Sequence, residues 1–150
     1  MSAGRAPMVR KIRLAYAGAL YHVMARGNQG RDIYAEDRDR NLWLETPAES
    51  WERTGWRLHA WVMMSNHYHL LLETPEATLP AGMKWFQGAY TQRYNSRHGV
   101  FGRLYQGRCK ALVVDRASWN SALRAGPSPA RSGSERFSAA PTADILEFFC

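Results

Sequence analysis

Trp61-Val-Met-Met-Ser-Asn-His67-Tyr68-His69-Leu-Leu-Leu-Glu73 reads as an apolar strand, a short polar turn at Ser65-Asn66, and a second strand. Side chains on a strand alternate between its two faces. His67 and His69 therefore share one side with Leu71 and Glu73, and Tyr68 shares the other with Leu70 and Leu72. Two imidazoles about 7 Å apart on one strand face can hold one divalent ion. Taken alone, a His-x-His pair is more often structural, or a polar pair at a sheet edge. Nearly every position after His69 is apolar, so alternation does not say which face meets the core. A strand apolar on both faces is usually central in its sheet.

Upstream, Leu20-Tyr-His-Val-Met-Ala25 is a strand candidate, with Tyr21, Val23 and Ala25 on one face and Leu20, His22 and Met24 on the other. Arg26-Gly-Asn-Gln-Gly-Arg31 is a turn-rich loop with a cation at each end. It serves either as a plain connector or as a phosphate-contacting loop at a strand end. Residues 33–53 predict a helix with Asp37 as N-cap and with Leu42, Trp43 and Trp51 for the core. Pro47 predicts a kink or break, because a mid-helix proline removes a backbone hydrogen bond at a cost of about 3 kcal/mol. Gly55 ends that segment, and residues 56–64 form the strand that leads into the turn. The tight turn makes strands two and three an antiparallel hairpin.

Thr78 or Pro80 opens the next helix, over about residues 81–96, with Met83, Phe86, Tyr90 and Tyr94 at core spacing. Arg97-His98-Gly99 is its stop, residues 107–114 form a fourth strand, and Asp115-Arg116 open another helix. The order β-α-β-β-α-β predicts an α+β, ferredoxin-like fold: a four-stranded antiparallel sheet with two helices on one face. Strands one and three are the central pair of that plan, which would bring His22 beside His67 and His69.

At 150 residues the chain is one domain with room for a core. No apolar run reaches membrane-spanning length, and no apolar segment follows the basic Arg10, Lys11 and Arg13, so neither a membrane partner nor a secretory signal is expected. Cys109 and Cys150 predict no metal or disulfide framework, which fits a reducing cytoplasm. The net charge of +7 favours a polyanionic partner.

Its distribution says more. Between Glu76 and Asp115 there is no acidic residue, while the window holds Lys84, Arg93, Arg97, Arg103, Arg108 and Lys110. Trp85, Phe86, Tyr90, Tyr94, Phe101 and Tyr105 are interleaved with them. Cations neutralise phosphates, and aromatic faces stack on unpaired bases. With Arg26, Asn28 and Arg31, these cations are the candidate DNA-binding residues. A charge run alone is more often a solvated helix face, but acid exclusion over so long a window favours nucleic acid.

Four stretches now carry a resemblance: residues 21–28 (YHVMARGN), 61–73, 83–99 (MKWFQGAYTQRYNSRHG) and 104–111 (LYQGRCKA). In order and spacing they are similar to the HUH-type tyrosine transposases, above all the REP-associated branch of the insertion-sequence-200-like transposase family. The match spans roughly residues 19–118. It implies that His67 and His69, matching the HUH motif, hold Mg²⁺ or Mn²⁺. Imidazole ligands suit Mn²⁺ better than Mg²⁺, which prefers oxygen. The ion would polarise the scissile phosphate of single-stranded or hairpin DNA. A tyrosine on the helix after strand four would attack the phosphorus, leaving a 5′-phosphotyrosine link and a free 3′-hydroxyl. The resemblance also implies DNA transposition and recombination, a cytoplasmic, nucleoid-associated location, and a homodimer, since transposition normally uses two active sites.

The chain departs from the family at its end. The family tyrosine precedes an asparagine by four residues, putting nucleophile and third ligand on one helix face. Here residues 115–119 (DRASW) begin correctly, but no tyrosine follows Tyr105. Residues 119–150 are rich in Ala, Ser, Gly and Pro, and Gly126, Pro127 and Pro129 stop any helix. Residues 142–149 alone look helical. The expected division is a lead-in over 1–18, the transposase-like domain over 19–118, and a disordered, degraded or frameshifted tail over 119–150. Tyr105 is the one outside candidate to replace the nucleophile; His22 is a spatial candidate for the third ligand. Three functions follow: a transposase domain that cleaves and rejoins DNA, a DNA-binding remnant without the nucleophile, or an RNA-binding module. The third lacks the aromatic stacking signature expected on the central strands.

Overall fold

Tyr21, Val23, Tyr68, Leu70 and Leu72 recur at every second position, and all five are buried in one cluster. That alternation organises the computed structural model, which describes residues 15–117 (the Ser50 side chain apart) and the backbone of Glu147–Phe149. The elements are β1 (Ala19–Arg26), α1 (Asp37–Thr54), β2 (Arg57–Met64), β3 (His67–Thr74), α2 (Leu79–His98), β4 (Lys110–Val114) and β5 (Glu147–Phe149), with a 3-10 turn at Asn28–Gly30. The sheet order is β2-β3-β1-β4-β5, with every pairing antiparallel. The first four strands give the ferredoxin-like plan, with β1 and β3 adjacent at the centre.

Both helices cover the Tyr68 face. Trp43 from α1, and Met83, Phe86 and Tyr90 from α2, join the buried cluster that holds Tyr68, Leu70 and Leu72. Trp43 packs against Tyr68 and Phe86 at ring centroid separations of 4.9 and 5.1 Å. Such tilted and edge contacts are the favoured aromatic geometries. Two of the phenolic groups buried here find polar partners: Gln87 Nε2 donates to the Tyr68 hydroxyl at 2.9 Å, and the Tyr90 hydroxyl donates to the Ile33 carbonyl at 2.7 Å.

Several local expectations are corrected. The N-cap of α1 is Glu36, one residue before Asp37, in a capping box with Asp39. The helix runs through Pro47 without a break. One local bond and one tertiary bond support the turn: the Thr46 hydroxyl donates to the Leu42 carbonyl at 2.7 Å, and Arg93 Nη1 from α2 donates to the same hydroxyl at 3.0 Å. They hold the turn that the proline weakens. The fourth strand starts at Lys110 rather than Gly107. Residues 147–149 pair with β4 as a strand, where a helix was predicted. Cys109 is buried and disulfide-bonded, against the expectation of no disulfide framework. Of the predicted lead-in and tail, residues 1–14, 118–146 and 150 lie outside the described residues.

One buried carboxylate ties the start of α1 to the end of α2. Asp39, with 0% of its surface exposed, accepts from the Ala35 and Glu36 amides and from Arg97 Nε at 3.1 Å, and its oxygens lie 2.9 and 3.0 Å from His98 Nε2. Burial alone would raise this carboxyl; His98 and the two amides outweigh it and hold it below the ordinary value. A depressed carboxyl contributes stability that is full above its unfolded value, about pH 4, and is lost as pH falls through the folded value. Asp39→Asn should therefore lower the unfolding free energy by about 3 kcal/mol at neutral pH, since one partner of a buried charge network is removed. It should also flatten the acid limb of stability in urea titrations across pH. An acid limb equal to that of the parent would assign the effect to a different carboxylate.

Candidate metal and nucleic-acid site

With Tyr68 buried, strand alternation leaves His67 and His69 on the sheet face that neither α1 nor α2 covers. Register fills in their neighbours. Met24 of β1 lies opposite His69 and Arg26 opposite His67, while Lys110 of β4 lies opposite Met24. Directly opposed residues share a face, so Val62, His69, Met24 and Lys110 form one row across the sheet. Met64, His67 and Arg26 form the next.

Three imidazoles gather here. The His67 and His69 ring centroids are 5.2 Å apart at 81°. Two imidazoles sharing one ion, with metal–nitrogen bonds of about 2.1 Å, need a separation of roughly 5 Å, so this pair fits. His22 stacks on His69 at 5.1 Å and 13°, with its Nε2 3.0 Å from His69 Nδ1. That contact turns His22 toward the other ring rather than toward a shared centre. Among the described residues, no group of three or more His, Cys, Asp or Glu side chains is arranged to hold a metal ion. Burial, then the neighbouring His22 and His67, lower the His69 imidazole to about 4, and burial lowers His22 as well. Neutral imidazole is the ligand form.

Asn66 positions His67. Its Oδ1 lies 2.7 Å from His67 Nδ1, and its Nδ2 donates to the Gly30 carbonyl at 3.2 Å. With Oδ1 as acceptor, His67 carries its proton on Nδ1 and leaves the Nε2 lone pair for a ligand. The loop after β1 is fastened to the same hairpin: the Gly27 amide donates to the Asn66 carbonyl at 2.8 Å, and the Ile33 amide to the Ser65 carbonyl at 2.9 Å. Within the loop itself there is no room for a side chain at Gly27, where a Cβ would collide with the Arg31 carbonyl.

The predicted cations divide. Arg26, Arg31, Arg103, Arg108 and Lys110 are exposed and Asn28 is half-buried, around the ends of β1 and β4. Segment 104–106 is joined to this loop through Asn28 N–H to the Leu104 carbonyl and Gln106 N–H to the Arg26 carbonyl, each at 2.8 Å. The remaining three are elsewhere. Lys84 is on α2, across the sheet from the histidines. Arg93 is bonded to Glu49 at 2.8 Å, and Arg97 to Glu36 at 2.8 Å and Asp39 at 3.1 Å. Both bind α2 to α1. The sequence missed Asn66 and the Glu73 clamp, in which Glu73 meets Arg116 at 2.7 Å and His59 at 3.3 Å. Asn66 sits beside the histidine motif, so adjacency was the available signal; the Glu73 partners, His59 on β2 and Arg116 just past β4, are distant in sequence and carried none.

Tyr105 lies on the wrong side of the sheet to reach the histidines. Its ring packs on Tyr68 at 5.9 Å and Tyr90 at 6.4 Å in the helix-covered core. Its hydroxyl makes no hydrogen bond of good geometry. Burial, then the phenols of Tyr68, Tyr34 and Tyr90, push it well above the ordinary tyrosine value, and the Trp43 side chain alone acts the other way. Tyr105→Phe should change stability by less than about 1 kcal/mol, because it deletes a buried hydroxyl with no well-formed bond. It should leave any covalent DNA adduct untouched on a denaturing gel; loss of an adduct would restore Tyr105 as nucleophile.

The sequence matches the family model described as "Transposase IS200 like" over residues 15–119. No curated protein matches the chain. Among solved structures, a REP-associated tyrosine transposase bound to a REP hairpin superposes with a TM-score of 0.59 at 12% identity, over 76% of this chain and 67% of that one. A Deinococcus radiodurans R1 protein, provisionally named a transposase, gives 0.53 at 20% identity over 83% and 95% of the two chains. These likenesses show the fold. The family match covers more than half of the chain, and with it the chain belongs to the IS200-like transposase family.

Proposed function

We propose that this chain binds single-stranded or hairpin DNA along its histidine face, with a divalent metal at His67 and His69, and does not cleave it through a phosphotyrosine. One observation carries the proposal: the face keeps the imidazole pair and a basic rim, while no described tyrosine shares it. Tyr21 and Tyr68 point into the core, and Tyr34, Tyr90, Tyr94 and Tyr105 pack in that same cluster. Tyr16 sits beside the Tyr21 hydroxyl at 2.7 Å, at the other end of β1 from Arg26. Hairpin DNA is the chosen substrate class because the REP-associated neighbour holds a REP hairpin.

His67 and His69 would each offer one nitrogen to Mg²⁺ or, better suited to imidazole, Mn²⁺. When bound, the metal supplies Lewis acidity at a phosphate oxygen. Asn66 holds the tautomer of His67. If His69 donates through Nδ1 to His22, its Nε2 is the ligand atom and His22 orients it from behind. Arg26, Arg31, Arg103, Arg108 and Lys110 neutralise phosphates on either side. A homodimer and a nucleoid-associated location are part of the same proposal.

Purified protein with 5′- and 3′-labelled hairpin DNA and Mn²⁺ should give a retarded complex on a native gel, weakened by salt. It should give no cleaved or covalent band on a denaturing gel. A covalent band abolished by His67→Ala would overturn the non-cleaving reading. Preferential retention of RNA over DNA in competition would overturn the DNA assignment. For the metal, calorimetric titration with Mn²⁺ should show binding lost in His69→Ala and weakened about tenfold in His22→Ala. Equal loss in both would make His22 a ligand.

A further inference from the structure

Phe101 is 93% exposed, more than any other large apolar side chain described. It stands on the loop between α2 and β4, and that loop is built to hold it out. Gly99 caps α2 in the left-handed region at φ 62°, and the Val100 amide donates to the Asn95 carbonyl at 3.1 Å. Gly102, at φ 97°, turns the chain back, and its carbonyl accepts from Asn95 Nδ2 at 2.9 Å. One residue, Asn95, therefore grips the loop on both sides of Phe101. The ring gains almost nothing from folding, since burial is what an aromatic contributes to a core.

Position gives it a use. Leu104, three residues on, bonds to Asn28 at the end of β1, and three residues of chain span at most about 10 Å. Phe101 and the exposed Arg103 thus stand within reach of the strand end that carries Arg26 and Asn28. No acidic residue lies within the surrounding window of Glu76 to Asp115. Cations that follow a backbone, with an exposed aromatic among them, are the arrangement by which proteins hold unpaired strands.

We propose that Phe101 is a stacking platform for an unpaired base of the DNA strand, with Arg103 taking the adjoining phosphate. This rests on the DNA-binding reading above and adds the base contact that the phosphate-directed cations lack.

The test measures the affinity of the full chain for a DNA hairpin with a single-stranded 3′ extension, and for a blunt duplex of the same stem. Phe101→Ala should weaken hairpin binding roughly tenfold, within the scale of one base–aromatic stack, and leave duplex binding unchanged. Phe101→Tyr, which keeps a π-face, should restore it. Equal affinity of parent and Phe101→Ala for the hairpin would overturn the proposal. So would a parallel loss on the duplex, or a change in sedimentation that made Phe101 a contact between copies of the chain. Failure of the parent itself to bind the hairpin would instead sink the DNA-binding reading, and the stacking platform with it. Far-UV circular dichroism of both variants should match the parent, since the ring is almost fully exposed.

Discussion

Tyr68 is buried to 0% exposure among Trp43, Phe86 and Tyr105, with Gln87 bonded to its hydroxyl. Adjacent residues of a strand cannot face the same way. Fixing Tyr68 in the core therefore forces His67 and His69 onto the opposite surface. A slip of one residue in β3 would bury both imidazoles and expose the phenol. The aromatic core thus sets the site without touching it. The two helices contribute to the histidines only by occupying the other face.

The second constraint is the need to satisfy backbone groups where two loops meet. The turn at Ser65-Asn66 and the loop at residues 27–33 have no ladder of their own, so each supplies partners to the other. Asn66 then serves both sides at once, through the Gly30 carbonyl and the His67 ring. Fixing the tautomer of His67 comes from the same contact that joins the loop. Gly27 lets the loop fold tightly on itself, since a Cβ there would collide with the Arg31 carbonyl.

Charge along the acid-free window performs two different tasks. Arg93 and Arg97 meet carboxylates of α1 or its N-cap and hold the two helices together. Arg26, Arg31, Arg103, Arg108 and Lys110 remain exposed near the strand ends. Among the described residues, no ion pair is formed by any of these five. A linear scan counts all of them alike, since it sees the missing acids within the window but not the Glu36, Asp39 and Glu49 that fold back from another helix.

By itself, the sequence determined the order of the elements from β1 to β4, the hairpin and the shared side of His67 and His69, because these rest on local periodicity and turn chemistry. It also carried the family, through motifs that stand in order along the chain, and the absence of any tyrosine after Tyr105. Only the tertiary structure decided which face of β3 is covered, since Leu70, Leu71 and Leu72 are apolar on both sides. It alone turned His22 toward His69 and put Tyr105 in the core, because both depend on partners far along the chain. The helix through Pro47 follows the same logic: a local cost was met in part by a contact from Arg93, on another helix, that no window around the proline contains.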